Sequence, residues 1–182
     1  PTLTYYVPNA TSWTSGDVTI YLNVGGVSSN ETTTGVSPIR PTSPITISTS
    51  VQPLYTPTIT TGTGSVGGFS YTHYCVMRKE NGEIEYRFKA YDKAENVSNE
   101  VKFTPKIDTI RPNITSISLT GKKADDTIVN AALYYSYTNM TVTVVCGDVA
   151  SGDSGVSGIK RILLRDGTTT IGQYNYNDTT YV

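Results

Sequence analysis

Between Tyr86 and Tyr91 the chain alternates side chains with a period of two. Tyr86, Phe88 and Ala90 fall on one side, and Arg87, Lys89 and Tyr91 on the other. That is the pattern of a strand with one face buried and the other wet. The same alternation places Val18, Ile20 and Leu22 on an inward stripe, and returns at Val142, Val144 and Cys146. Further strands are predicted at Tyr71–Arg78, Ile114–Leu119 and Ile159–Arg165. Another is predicted at Ile45–Val51, inside a Thr-, Ser-, Pro- and Gly-rich middle where Pro38, Pro41 and Pro44 confine the surroundings to edges or loops. No window sustains helical spacing; the nearest, Asp126–Tyr134, is weakened by Thr, Val and Asn. The predicted class is all-β.

Turns divide these strands. Asn81-Gly82 stands between two strand patterns, which is the residue pair of a tight two-residue hairpin. In an immunoglobulin-like sandwich the same two strands would lie in opposite sheets, with the link crossing between them. Either arrangement turns Cys75 and Met77 toward the side occupied by Tyr86 and Phe88. Asp166-Gly167 turns the chain again, before a Tyr- and Asn-rich tail.

An internal repeat organises the whole. Ser12-Trp13-Thr14 and Val18–Leu22 align without a gap on Ser136-Tyr137-Thr138 and Val142–Cys146. Gly35-Val36-Ser37-Pro38-Ile39-Arg40 then matches Gly155-Val156-Ser157-Gly158-Ile159-Lys160, after a slightly shorter loop. Residues 1–110 are therefore expected to form one β-sandwich and residues 111–182 a second unit. Nothing in the second copy corresponds to Tyr86–Asn96, so that unit is expected to lack its closing strands and the chain to be a piece of a longer array. Trp13 and Tyr137 mark equivalent strand entries, where a large ring covers the end of the core; ligand stacking is the alternative role.

Composition narrows the function. The chain has 182 residues, with 30 threonines and 14 tyrosines against 3 phenylalanines. Thr and Tyr, each apolar in body and polar at the tip, suit half-wet strands. A net charge of −1 without a basic stripe argues against nucleic acid. No apolar run is long enough to span a bilayer as a helix. The two cysteines, Cys75 and Cys146, lie far apart and are expected to be buried thiols, Cys146 filling a leucine position of the repeat. Asn-x-Ser/Thr sequons at Asn9, Asn30, Asn96, Asn113, Asn139 and Asn177 would matter only in a eukaryotic secretory host.

The closing segment of the first unit reads Ala90-Tyr-Asp92-Lys-Ala94-Glu95-Asn96-Val-Ser98, followed by Ile107-Asp108 and Pro112; the opening reads Trp13-Thr14-x-Gly16-Asp17-Val18-Thr19. On these residues the chain resembles the bacterial immunoglobulin-like repeats of large secreted and surface-anchored proteins, especially of Gram-positive bacteria. Their closing hairpin runs Ala-x-Asp-x-Ala-Gly-Asn-x-Ser, with an Ile-Asp-x-x-x-Pro linker. The resemblance covers both ends of the first unit and the first half of the second, and residues 41–70 lack a match. Glu95 stands where the family has glycine, which would supply a positive φ, so a different turn type is expected there. The resemblance implies tandem immunoglobulin-like sandwiches in an extracellular, cell-surface setting, with a spacing, display or adhesion role and no catalysis.

Several residues carry candidate chemistry. Asp92 and Asn96 are expected to hold the closing turn through backbone hydrogen bonds. Asp108 is expected to cap a strand end or to join an interdomain metal site, and Pro112 to stiffen the linker. The loop Gly147–Gly155 offers Asp148 and Asp153 as calcium ligands, against the plainer reading of a solvated loop; its spacing is not that of an EF-hand. No other cofactor is implied. His73 lacks a triad partner, Ser154 lacks the helix a nucleophile elbow needs, and Glu80, Glu83 and Glu85 read as solvated turn charges. Outward Tyr21, Tyr91, Tyr174 and Tyr176, or the pair Tyr134-Tyr135, could stack on sugar rings.

Three functions follow as expectations. The first is a non-catalytic spacer that extends neighbouring domains of a longer parent chain away from the cell. The second is an adhesive or carbohydrate-binding module whose partner is a glycan or a host surface protein. The third is an accessory domain of a secreted hydrolase. Neither nucleic acid nor membrane insertion enters any of them.

Overall fold

In a computed structural model of the chain, residues 1–27, 35–122, 128–130, 140–148 and 157–175 are described. Twelve β-strands and one 3-10 turn appear among them, with no α-helix. The chain divides into two compact units, the first running from Pro1 to Thr109 and the second starting at Ile110.

The first unit holds β1 (Thr2–Tyr6), β2 (Val18–Gly25), β3 (Ile45–Thr49), β4 (Ile59–Val66), β5 (Phe69–Met77), β6 (Tyr86–Ala90) and β7 (Val101–Phe103). They form two antiparallel sheets, ordered β1-β2-β5-β4 and β3-β6-β7. The predicted stripes meet between them. Leu3, Ile20, Leu22, Cys75 and Met77 from the first sheet pack in one cluster with Ile45, Tyr86, Phe88, Ala90 and Val101 from the second. Tyr86 and Phe88, on one strand, have ring centroids 6.5 Å apart. Burying each large side chain of this kind is worth about 1.5–3 kcal/mol, so the cluster dominates the unit's stability.

Asn81-Gly82 does not make a two-residue hairpin. β5 and β6 belong to different sheets, and the 3-10 turn Lys79–Asn81 carries the chain across. The reason is local: Asn81 is buried and its amide is occupied elsewhere. Its Oδ1 accepts the Tyr55 N–H at 2.7 Å, while its Nδ2 donates to the Tyr55 carbonyl at 2.9 Å and the Tyr86 hydroxyl at 3.0 Å. One side chain thereby ties the loop at Tyr55 to the crossing and to the core. Gly82 follows with φ at 66°, a conformation that favours glycine.

β1 and β4 are strands that the apolar pattern does not announce. β4 carries a bulge between Thr61 and Gly64. There Tyr71 lies across the strand so closely that a Cβ on Gly64 would sit 2.6 Å from its hydroxyl. The corner after β6 also departs from expectation. Glu95 adopts a φ of 61°, the left-handed conformation that glycine would supply, so the corner takes a positive φ without a glycine. A left-handed non-glycine residue costs roughly 1–2 kcal/mol; the corner's hydrogen bonds, described below, hold it.

The second unit holds β8 (Asn113–Lys122), β9 (Ile128–Asn130), β10 (Met140–Gly147), β11 (Arg161–Asp166) and β12 (Thr169–Asn175). Their sheets are β10-β8-β9 and β11-β12. Ile128–Asn130, within the nearest approach to helical spacing, is a strand. The supposed tail contributes β12, which pairs with β11 through a two-residue link with Gly167 at φ 56°. The stripe predicted in β10 is only partly covered: Val142 is exposed, and Val144 and Cys146 are half-buried. Cys146 therefore departs from the expected buried thiol, whereas Cys75 is fully buried; both are free.

Candidate functional site

The closing corner begins where β6 ends. Asp92 is buried, with 4% of its surface exposed. Its Oδ1 accepts the N–H groups of Ala94 and Asn96, and its Oδ2 accepts the Asn96 side-chain amide, all at 2.9 Å. The Asn96 amide, and then the backbone N–H groups of Asn96 and Ala94, hold the carboxyl below its ordinary pKa. Two backbone bonds close the loop: Glu95 N–H to the Asp92 carbonyl at 3.1 Å, and Asp92 N–H to the Asn96 carbonyl at 3.2 Å. Ser98 Oγ accepts the Ala90 N–H at 2.9 Å. Both Asp92 oxygens are thus committed to the turn. Arg40 supports it from outside, pairing with Glu95 at 3.1 Å and lying 4.6 Å from the Tyr91 ring centroid. That guanidinium covers one of the candidate stacking rings.

A second constellation joins the two ends of the first unit. Thr14 N–H donates to the Lys106 carbonyl at 3.0 Å, and Asp108 N–H donates to the Thr14 carbonyl at 2.9 Å. These bonds frame a parallel bridge between Thr14 and Ile107. Ile107 is fully buried and Asp108 nearly so. Asn99 makes the other tie: its Oδ1 accepts the Leu3 N–H and its Nδ2 donates to the Leu3 carbonyl, each at 2.9 Å. An amide side chain here stands in for a strand's backbone. Pro112 is exposed just ahead of β8.

Tyr91 belongs to the corner and Tyr174, 64% exposed, to β12, while Tyr134, Tyr135 and Tyr176 lie outside the described residues. The first unit gathers Tyr21, Tyr71 and Tyr74, with Tyr21 4.7 Å from Tyr71 and 6.5 Å from Tyr74 between ring centroids. Tyr21 and Tyr74 are direct cross-strand partners between the buried pairs Ile20/Cys75 and Leu22/His73, which puts them on the outer face.

Tyr21 also borders a groove of about 350 Å³, whose lining includes Asn9, Trp13, Asp17, Thr19 and Lys106. The Lys106 ammonium lies 5.9 Å from the centroid of the Trp13 ring. Asp17 is neutralised within the fold: it accepts the Lys79 N–H and an Arg78 guanidinium N–H, both at 2.9 Å. Those contacts, the Lys79 N–H first, lower its pKa.

Among the described residues of each unit the remaining candidates do not assemble. His73 is buried beside the Thr72 hydroxyl, 2.9 Å from its Nδ1, and burial lowers its pKa. Burial pushes the Cys75 thiol up to about 11. Glu85 pairs with Arg87 at 2.6 Å. Asp148 accepts the Gly158 N–H at 2.8 Å through Oδ2, while its Oδ1 is buried without a hydrogen bond. Asp153 and Ser154 lie outside the described residues. Among the described residues no three His, Cys, Asp or Glu side chains converge as metal ligands, and no helix is long and apolar enough to cross a membrane.

No family model, curated protein or solved structure matches the chain.

Proposed function

We propose that the chain is a non-catalytic structural module of a bacterial surface or secreted protein, built of tandem immunoglobulin-like sandwiches that hold neighbouring domains away from the cell. The observation that carries this reading is the tie between the ends of the first unit. Four hydrogen bonds, two at Asn99–Leu3 and two at Thr14 with Lys106 and Asp108, join its opening residues to its closing ones. Tension applied at the ends of the unit loads these bonds directly. At Thr14/Ile107 the segments run parallel, so a pull on the exit slides one past the other and strains both bonds together. A spacer under tension is served by that arrangement.

Two further features support the reading. The sheet orders β1-β2-β5-β4 and β3-β6-β7 are those of an immunoglobulin constant-type domain, ABED over CFG. The exit then runs into Pro112, whose ring fixes its own φ and biases Arg111 toward extended geometry, limiting bending.

Single-molecule pulling on the full chain, held by its termini, tests the proposal. Asn99→Ala is expected to lower the unfolding force of the first unit and to remove about 1–3 kcal/mol of its equilibrium stability. Thr46→Ala, an exposed change on β3, serves as the control and should leave the force as it is. If Asn99→Ala costs stability but leaves the unfolding force unchanged, the tie bears no load and the spacer reading fails.

A further inference from the structure

We propose that the groove beside Trp13 binds a saccharide that carries a carboxylate group. This goes beyond a spacer role and rests on side chains, whereas Lys106 enters the tie between the ends of the unit through its backbone carbonyl.

The argument starts from exposure. Trp13 is the only tryptophan of the chain, and 37% of its surface is open to solvent although a buried core lies close by. An indole face left open at a groove offers flat apolar area to the C–H side of a pyranose ring, at little entropic cost because the side chain has few torsions. Tyr21 continues that surface toward Tyr71 and Tyr74, so aromatic area extends beyond the groove itself. At about 350 Å³, the groove lies near the lower bound of ligand sites. It accepts one or two rings of a longer chain.

Charge then selects among sugars. Asp17 is cancelled by Arg78 and the Lys79 N–H, so its carboxylate does not set the sign of the groove. Lys106 has no carboxylate partner among the described residues; its contact is the face of Trp13, an attraction worth about 0.5–1 kcal/mol at an exposed site. A ring that slides onto the indole displaces the ammonium toward the ring's edge, where a sugar carboxylate would meet it in a charge-assisted hydrogen bond. The side chains of Asn9 and Thr19 make no hydrogen bond among the described residues and can serve the sugar hydroxyls. A single ammonium without a cluster of N–H donors fits a carboxylate better than a phosphate chain, which calls for several cationic contacts.

The sole tryptophan makes the test direct, because its fluorescence reports occupancy of the groove in the intact chain. Tetragalacturonate is expected to change that fluorescence saturably. Its methyl ester, with the same rings and no charge, should bind about tenfold more weakly or worse, as should tetragalacturonate to Lys106→Gln. Lys106 is exposed, so this variant keeps the fold, which far-UV circular dichroism checks. Calorimetry on Trp13→Ala should show no binding. Three results would each overturn the proposal: no saturable response to tetragalacturonate or to a hyaluronan tetrasaccharide; equal affinity for acid and ester; or citrate binding as tightly as the sugar acid, which would make the groove a simple anion site.

Discussion

β2 and β10 carry matching sequence and differ in burial. In β2, Ile20 and Leu22 are fully buried; the matching positions of β10, Val144 and Cys146, are only half-buried, and Ile117 of β8, the partner of Val144 across the pair, is 62% exposed. Both strands alternate with a period of two, and each pairs antiparallel with the first strand of its unit. What differs is the company. β2 has a hydrogen-bonded neighbour on each side and its inner face packs on residues of β3, β6 and β7. Among the described residues β10 has one such neighbour, β8. Alternation is enough to make a strand. Burial depends on a second sheet arriving over it, and that belongs to the whole domain rather than to the strand.

This contrast can be broken at its strongest point by truncating one side chain in each unit. Phe88→Ala should destabilise the first unit by about 3–5 kcal/mol, because the cavity lies between two sheets. Ile117→Ala should stay within about 0.5 kcal/mol, since most of that side chain is already in water. Urea denaturation, with Trp13 fluorescence reporting the first unit and circular dichroism the whole chain, measures both. Comparable losses would mean that Ile117 is covered in solution.

The thiols sharpen the same comparison. Cys75 is fully buried with its pKa raised to about 11, and Cys146 is half-buried. A thiol-specific reagent at pH 8 should modify Cys146 at least about a hundredfold faster, because Cys75 reacts only when its unit opens. Equal rates would show that the first unit opens as readily as the second.

The smallest effect concerns pH. His73 is buried in the first unit, and burial lowers its pKa below 6.5. The unfolded chain then binds the proton more readily than the folded one. Stability of the first unit should be complete above about pH 6.5 and fall as the pH drops toward the folded pKa, where the loss levels off. Asp92, with its pKa lowered by Asn96, adds a separate loss below about pH 4, in the range where its carboxylate protonates. His73→Gln should abolish the upper phase and keep the lower one. A wild-type denaturation midpoint that stays constant between pH 7 and 5 would show that His73 is not desolvated.

Much of the first unit was legible because its core strands follow a simple rule. Val18–Leu22 and Tyr86–Ala90 alternate cleanly, and the Asp92–Asn96 corner uses short polar side chains that can reach their own backbone. β1 and β4 were hidden for a physical reason. Thr2–Tyr6 has one core residue, Leu3, and Ile59–Val66 is mostly Thr, Gly and Ser, so their pairing is decided by neighbours and not by their own pattern. Asn81 and Asn99 were equally hidden, since a buried or bridging amide looks in sequence like any loop asparagine. Glu95 misled in the opposite direction: a non-glycine residue takes the left-handed conformation there. Tyr71 and Tyr74 gave one weak signal, the small residues Gly62 and Gly64 lying under their rings.

Asn99 has one more consequence. The Leu3 N–H and C=O that it engages would otherwise lie unpaired along the open margin of β1, ready to template another chain. At the opposite margin the β4 bulge interrupts the regular spacing that an incoming strand would need. The outermost strands of the four-stranded sheet are thus both guarded against aggregation, one by an amide and the other by a kink.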